Sequence, residues 1–465
     1  MHEATERTRL AEYCAFAVFV VLTAITAYHH EPWADEANSW LLGRDASLWE
    51  LWTRLMHYEG TPALWQTLLH VLIQLGFPYS GLNFLTGLLG CGAAWIFIRK
   101  APFPTAIRLA MPFTFYLFYQ YSVVARSYCL LPVLLFVSAW IYGNARRNTA
   151  LLTCLLCLMA GVSVHGMMIS GAIWISFQWE AWRAGGPAER KKLVWYGIAY
   201  AVVVLLLAWS ALPAKDTNFA SDKDTSLAHL LDSSGETLAN AFTGEWISSV
   251  ASIALCIPFL WRGRGLLMFA ISAAGLLLFN AFVYANVWHE GMLFLAWIFA
   301  MWISGEHTKP RGMALAAITA VIAVQGYWAF RTTAYDWQNP YSGAKAAATY
   351  LRQNGITGSK IFGFGYASVG IQPYFPRNIF PNFRDGEPKS YFDWSNSWRN
   401  FELDDELGNR RPEYVIFGLK DEDDKPNSEA AAKKAGYTLV KSFAGNLYWH
   451  NSVLEPDAFD LYRRN

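Results

Sequence analysis

A succession of long apolar segments, running from residue 10 to about residue 330, constrains this chain more than any other feature. They lie near 10–28, 61–76, 81–98, 106–124, 128–143, 149–164, 167–182, 193–212, 246–261, 266–286, 290–304 and 312–330. A backbone shielded from water has to satisfy its own N–H and C=O groups, and an α-helix does so within a single segment. Crossing a hydrocarbon core takes about 20 helical residues, so these windows predict a polytopic bundle of membrane helices. Composition agrees: hydrophobic types make up 54% of the 465 residues and charged types only 16%, too apolar for an ordinary soluble protein of this length. The mean hydropathy of +0.19 averages that part with a polar last third. A net charge of +1 and the lack of a long basic run exclude nucleic acid as an expected partner. All six cysteines fall in apolar segments. Even Cys154 and Cys157, at CxxC spacing, read as packing residues rather than a redox or metal pair.

Loop charges predict the orientation. Arg99-Lys100 with Arg108, Arg146-Arg147, Arg183 with Arg190-Lys191-Lys192, Arg262 with Arg264, and Lys309 with Arg311 are expected to face the cytoplasm. The segment at 10–28 is long for a signal-peptide core and reads as a retained span. With Arg7 and Arg9 inside as well, two spans fit before Arg99, yet three windows are present. The weakest, 61–76, opens with Thr61-Pro62 and carries Gln66, His70 and Gln74. It is expected to lie on the external face as an amphipathic helix, with Thr61 as N-cap and Pro62 at the first helical position. The result is about eleven spans, N-terminus inside and C-terminus outside. Residues 1–330 form the membrane domain, with external loops at 29–80 and 213–245. Residues 331–465 read as a separate external α/β domain, with helices at 342–354 and 430–435 and strands at 360–363, 414–418, 437–443 and 447–450.

Ionisable residues crowd the predicted external helix ends, where they are costly unless they pair, bind or react. Asp35-Glu36 follows the first span. Such a pair can supply a general base, or equally can favour the first turn of a following helix. His57 and Glu59, two residues apart, can share a divalent cation. Arg126, in Ala125-Arg126-Ser127-Tyr128, is suited to bidentate contact with phosphate oxygens, and snorkelling to lipid headgroups is the alternative. His165 and the pair His289-Glu290 sit at two further external hairpins as candidate metal or phosphate ligands. The 22 tryptophans are expected mostly in interfacial belts. Trp33, Trp40, Trp246, Trp288, Trp394 and Trp398 lie in external segments and can alternatively stack on sugar faces.

Four features together resemble the GT-C superfamily of integral membrane glycosyltransferases, in particular the protein O-mannosyltransferase and aminoarabinose-transferase branch. They are Asp35-Glu36 after the first span, Tyr58-Glu59-Gly60-Thr61-Pro62-Ala63-Leu64-Trp65, Ala125-Arg126-Ser127-Tyr128 after an aromatic-rich span, and a C-terminal external domain. The resemblance covers the first ~130 residues by local motifs and the rest by architecture. It implies Asp35 as catalytic base with Glu36 as its neighbour. Arg126 with Tyr128, Glu59, His165 and Glu290 would form the donor site, and Glu59, His57 and His289 would hold a possible divalent metal cation. Gly60-Thr61 stands where the branch has a lysine before Pro62, and the loop at 213–245 is too short for an inserted sugar-binding domain.

The expected activity is inverting transfer of a sugar from a polyprenyl-phosphate donor to an acceptor hydroxyl on a glycan, lipid or protein. Membrane lipids are the expected surroundings. Short loops and the lack of an Asn-x-Ser/Thr sequon favour a bacterial inner membrane. A transporter or flippase for a lipid-linked glycan, or a non-catalytic assembly subunit, is the alternative; the former would place polar residues at mid-span in paired, broken helices.

Overall fold

A computed structural model describes residues 2–217, 225–383, 387–395, 411–421 and 423–465. The apolar segments fold as helices: α1 (His2–His29), α2 (Ala34–Asp45), α3 (Leu64–Gln74), α4 (Leu82–Lys100), α5 (Leu130–Tyr142), α6 (Thr149–Ala160), α7 (Val164–Ala184), α8 (Pro187–Ser210), α9 (Leu227–Phe242), α10 (Trp246–Arg262), α11 (Leu266–Phe282), α12 (Val287–His307) and α13 (Gly312–Gln338). Among the described residues five helices are long and apolar enough to cross a membrane, or six if α9 and α10, bent by 72° at their junction, count as one. Three shorter apolar helices accompany them, Ser127–Tyr142, Thr149–Ala160 and Leu266–Phe282. This is the composition of a helical, multi-pass membrane protein.

Helix α12 is the axis of the bundle. Its apolar window is 94% buried, against 17% for α8, which leaves its leucines and valines facing outward. Small residues let neighbours come close to α12: Gly265 N–H donates to Ser304 Oγ at 3.2 Å, and Gly305 packs on Pro102. The window at 106–124 is not one continuous helix. A short helix (Thr105–Ala110) gives way to a 3-10 turn at Met111–Phe113 and a π-helical stretch at Phe115–Gln120. Pro112 in the turn supplies no amide donor, and hydropathy alone cannot register that break. The segment at 61–76 does form an amphipathic helix, burying Trp65, Gln66 and Leu69. Its start differs from expectation. The helix begins at Leu64 after Ala63, and Thr61 instead donates to the Val162 carbonyl at 3.3 Å.

Helix α13 runs to Gln338, past the expected boundary at 331, before the C-terminal region begins with α14 (Ala344–Gln353). The expected strands appear as β1 (Ile361–Phe364), β2 (Tyr414–Leu419), β3 (Tyr437–Phe443) and β4 (Asn446–Trp449), with α15 (Asp424–Lys434) before β3. Two more follow, β5 (Ser452–Pro456) and β6 (Ala458–Arg464). The sheet order is β1-β2-β6-β3, with β1 and β2 parallel and β6 antiparallel to both neighbours. Strand β6 is central yet carries Asp460, Arg463 and Arg464, which hides it from a hydrophobic-run reading. Strands β4 and β5 form a hairpin whose tip wedges into the bundle. The His450 ring stacks on Trp328 at 3.7 Å, Trp449 meets Trp288 at 5.0 Å, and Thr332 Oγ1 donates to the His450 carbonyl at 3.0 Å.

A buried ionic knot ties α2 to the bundle. His30 lies between two carboxylates, with Nδ1 2.9 Å from Asp336 on α13 and Nε2 3.1 Å from Glu36 on α2. Burial alone would lower the imidazole, but Asp336 and Glu36 outweigh it and push His30 up to about 10. Glu36 also accepts from Trp33 N–H at 3.1 Å, Asn83 Nδ2 at 2.9 Å and Ala125 N–H at 2.5 Å. Folded His30 keeps its proton to about pH 10, whereas a free imidazole loses it near its ordinary value of 6.5. Its contribution is therefore complete below pH 6.5 and lost as pH rises through about 10. Replacing His30 with Ala strands two buried carboxylates and is expected to cost about 3–5 kcal/mol. Thermal unfolding of the detergent-solubilised protein checks this, and the deficit should shrink as pH rises through the His30 range.

Candidate functional site

Asp35 stands in the first turn of α2, where the N-terminal end of the helix favours negative charge. On a helix, adjacent side chains diverge by about a quarter turn or more. Glu36 therefore turns into the bundle, fully buried, while Asp35 faces a cavity. The Asp35 carboxylate ion-pairs through Oδ2 with Arg126 Nη1, and its Oδ1 accepts from Tyr366 Oη at 2.7 Å. Arg126 is positioned through the backbone: the amide of Ala125, next in chain, is the one that Glu36 holds. One carboxylate thus anchors both the helix bearing Asp35 and the loop bearing Arg126.

The cavity has a volume of about 420 Å³. Its polar wall comprises Asp35, Ser39, Glu59, Arg126, Tyr128 and Tyr366. Its apolar lining includes Met167 on α7, Ala208 on α8, and Phe279 and Val283 at the end of α11. Glu59 ends a short helix (Met56–Glu59) closed by Gly60, which takes the left-handed φ of 62° that favours glycine. Asn38 Nδ2 donates to Glu59 Oε1 at 3.3 Å. Burial, with Asp35 and Asp393 close by, pushes Glu59 up to about 8 against the opposing pull of Arg126. At neutral pH Glu59 is therefore protonated, and Asp35 rather than Glu59 balances the guanidinium. Burial is also outweighed at Arg126 by Asp35, so its charge is held firmly.

Tyr128 and His289 share a short hydrogen bond between Oη and Nε2, and the rings of His289 and His165 lie 4.5 Å apart. Three buried polar atoms on this wall have no hydrogen-bond partner among the described residues: Gln66 Oε1, His165 Nε2 and His289 Nδ1. Unpaired buried polar atoms are expensive, and a ligand that pairs with them recovers that cost.

A second cavity of about 430 Å³ shares Asp35, Tyr284, Asn286, Trp288 and Trp394 with the first. Trp33, Glu236, Glu290, Lys420 and Glu455 complete its polar lining. Asp35 is thus exposed to two spaces, one mostly apolar and bounded largely by bundle helices, the other evenly polar and apolar and bounded partly by the C-terminal region.

Of the residues singled out from the sequence, Asp35, Glu59, Arg126, Tyr128, His165 and His289 share the first cavity. Glu290 lines only the second, and Glu36 reaches neither. His57 is also apart: its Nδ1 meets the Leu212 carbonyl at 2.7 Å and its ring packs edge-on to Trp209. Of the residues expected to hold a cation, Glu59 and His289 thus line one cavity while His57 does not, and among the described residues no three His, Cys, Asp or Glu side chains group as metal ligands. Trp33, Trp288 and Trp394 do line a cavity; Trp40 packs on Phe77 and Tyr79, and Trp246 is exposed at the start of α10. Trp398 lies outside the described residues. Tyr366 and Lys420 had no local signal, because the C-terminal region brings them to Asp35 from more than 300 positions away in sequence.

Glu59 bears a further consequence. A carboxyl held up to about 8, against its ordinary 4.5, stabilises the fold fully below pH 4.5 and progressively less as pH rises through 8. The variant E59Q retains the protonated shape at every pH. Its thermal stability should fall less than that of the native protein between those values, as read by melting curves across the range.

No protein-family model matches this chain, and no curated protein or solved structure shows a match to it.

Proposed function

We propose that this protein is an inverting glycosyltransferase using a polyprenyl-phosphate sugar, with Asp35 as general base. The observation that carries the reading is the position of Asp35, paired with Arg126, between a mostly apolar cavity that Arg126 also lines and a more polar cavity bounded partly by the C-terminal region. A lipid-linked donor needs both environments at once. Its chain is matched by Met167, Ala208, Phe279 and Val283, and its phosphate by Arg126, whose planar fork suits phosphate oxygens. The unpaired atoms of Gln66, His165 and His289 are available to the sugar or phosphate.

In the ligand-free arrangement Arg126 and Tyr366 occupy both oxygens of Asp35. Phosphate binding draws Arg126 toward the donor and frees Asp35 Oδ2. The acceptor hydroxyl then gives its proton to Asp35 while its oxygen bonds to the anomeric carbon from the face opposite the phosphate. The bond from that carbon to the phosphate oxygen breaks, and the electron pair leaves with the phosphate, whose added negative charge Arg126 offsets. Glu59, protonated at neutral pH, adds no competing negative charge beside that phosphate.

On this reading the enzyme sits in a bacterial inner membrane with about eleven spans, its N-terminus in the cytoplasm and its catalytic face and C-terminal region outside; the positions of the basic loops support that orientation. The variant D35N should lower transfer from a radiolabelled polyprenyl-phosphate sugar by about 10²–10⁴-fold, with unchanged membrane insertion and donor binding. R126A should lose donor affinity along with about 10²–10³-fold in rate. Full activity in D35N would overturn the assignment.

A further inference from the structure

The second cavity has a lining that discriminates among acceptors. Three indole rings, from Trp33, Trp288 and Trp394, contribute to it. Trp33 and Trp288 are mutually tilted at a centroid distance of 5.2 Å, and Trp449 braces Trp288 from behind at 5.0 Å. Flat, rigid aromatic faces of this kind bind the C–H faces of sugar rings at low conformational cost.

Its charges are one-sided. Glu236 and Glu455 join Asp35, against Lys420 as the cation among these lining residues. Lys420 is already committed: its Nζ lies 3.4 Å from Glu455 Oε1 and 5.5 Å from the Trp33 ring centre. Glu290 is 4% exposed, and its Oε2 has no hydrogen-bond partner among the described residues. Trp33 Nε1, on a residue 2% exposed, is an unpaired donor in the same wall. A buried acceptor and a buried donor, both unpaired, call for a ligand rich in hydroxyl groups, each of which can give and take a hydrogen bond. An anionic ligand would instead meet the Glu236 carboxylate, which has no cation beside it in the lining.

Resting on the glycosyltransferase reading above, we infer that the second cavity takes as acceptor a neutral or amine-bearing saccharide, presented from the aqueous side and gripped between Trp33, Trp288, Trp394 and Glu290. The walls supplied by Lys420, Leu454 and Glu455 make the C-terminal region part of the acceptor site. The cavity's volume of about 430 Å³ lies in the ordinary range for small-molecule sites.

The test is a binding measurement that does not depend on turnover. Full-length protein in lipid nanodiscs, without donor, is applied to an array of oligosaccharides: neutral hexose and pentose oligomers, amino-sugar oligomers, and uronic-acid or phosphorylated oligomers. Retention on members of the neutral or amino-sugar sets, at least tenfold above the acidic sets, is expected. E236Q/E290Q should raise acidic-glycan retention toward the neutral level. W394A, at a half-buried position, should reduce neutral retention at least tenfold. Preferential retention of acidic glycans, no retention of any saccharide, or retention indifferent to all three substitutions would overturn the inference. Binding of polyprenyl phosphate to the first cavity, measured in parallel, separates that result from failure of the donor reading. An acceptor site that fails while donor binding persists leaves the donor reading standing.

Discussion

Everything at the site hangs on the buried carboxylate of Glu36. It accepts from the His30 imidazole, the Asn83 amide and the backbone N–H groups of Trp33 and Ala125, so elements distant in sequence meet on one pair of oxygens. A carboxylate with so many donors and a charged imidazole beside it is well compensated for leaving water, whereas one stripped of either would not be. Because Ala125 precedes Arg126 and Glu36 follows Asp35, the knot sets the spacing of the pair facing the cavity. The residue that reads from sequence as a second catalytic carboxylate is the one that holds the first in place.

The bundle and the C-terminal region are joined at the site rather than merely next to each other. Asn38 exchanges two hydrogen bonds with the backbone of Phe392, at 2.8 and 3.1 Å, and Arg44 donates to the Phe375 carbonyl at 2.7 Å. Helix α2 thus lies with its cavity face toward Asp35's partners and its flank bonded to the chain from the C-terminal region. On the far side, the β4–β5 hairpin drives Trp449 and His450 between Phe115, Trp288 and Trp328. Burial lowers His450 to about 3, so this wedge stays uncharged at any ordinary pH and keeps its apolar packing. Trp288 is touched by Trp449 on one side and by Trp33 on the other, which connects the hairpin to the wall of the second cavity.

Much of the architecture was legible in the chain. Long apolar windows became helices, and the strands at Ile361–Phe364, Tyr414–Leu419 and Tyr437–Phe443 lie where short β-branched and aromatic runs predicted them. The misreadings have physical causes. Residues 106–124 are as apolar as a span, but Pro112 interrupts the hydrogen-bond ladder. Strand β6 was missed because Asp460, Arg463 and Arg464 break its alternation, although Asp460 is itself buried. Thr61-Pro62 has the sequence of a helix start, yet the Val162 carbonyl takes the hydroxyl and the helix opens at Leu64. His57 and Glu59 share a short segment but not a direction, since a helical turn sends them to different neighbours.

The sequence by itself determined the class of environment and the chemical inventory: a helical chain with apolar spans, and carboxylates, an arginine and histidines concentrated at helix ends where charge is tolerated only for a purpose. It also singled out Asp35 and Arg126. Only the tertiary structure decided that these two are partners, that Glu36 is an anchor, that Glu290 belongs to a separate cavity, and that Tyr366, Trp394 and Lys420 complete the surroundings of Asp35. Side-chain direction is the reason. A pattern read along the chain gives residue types and spacing, while the partner of a buried group is fixed by packing between segments hundreds of residues apart.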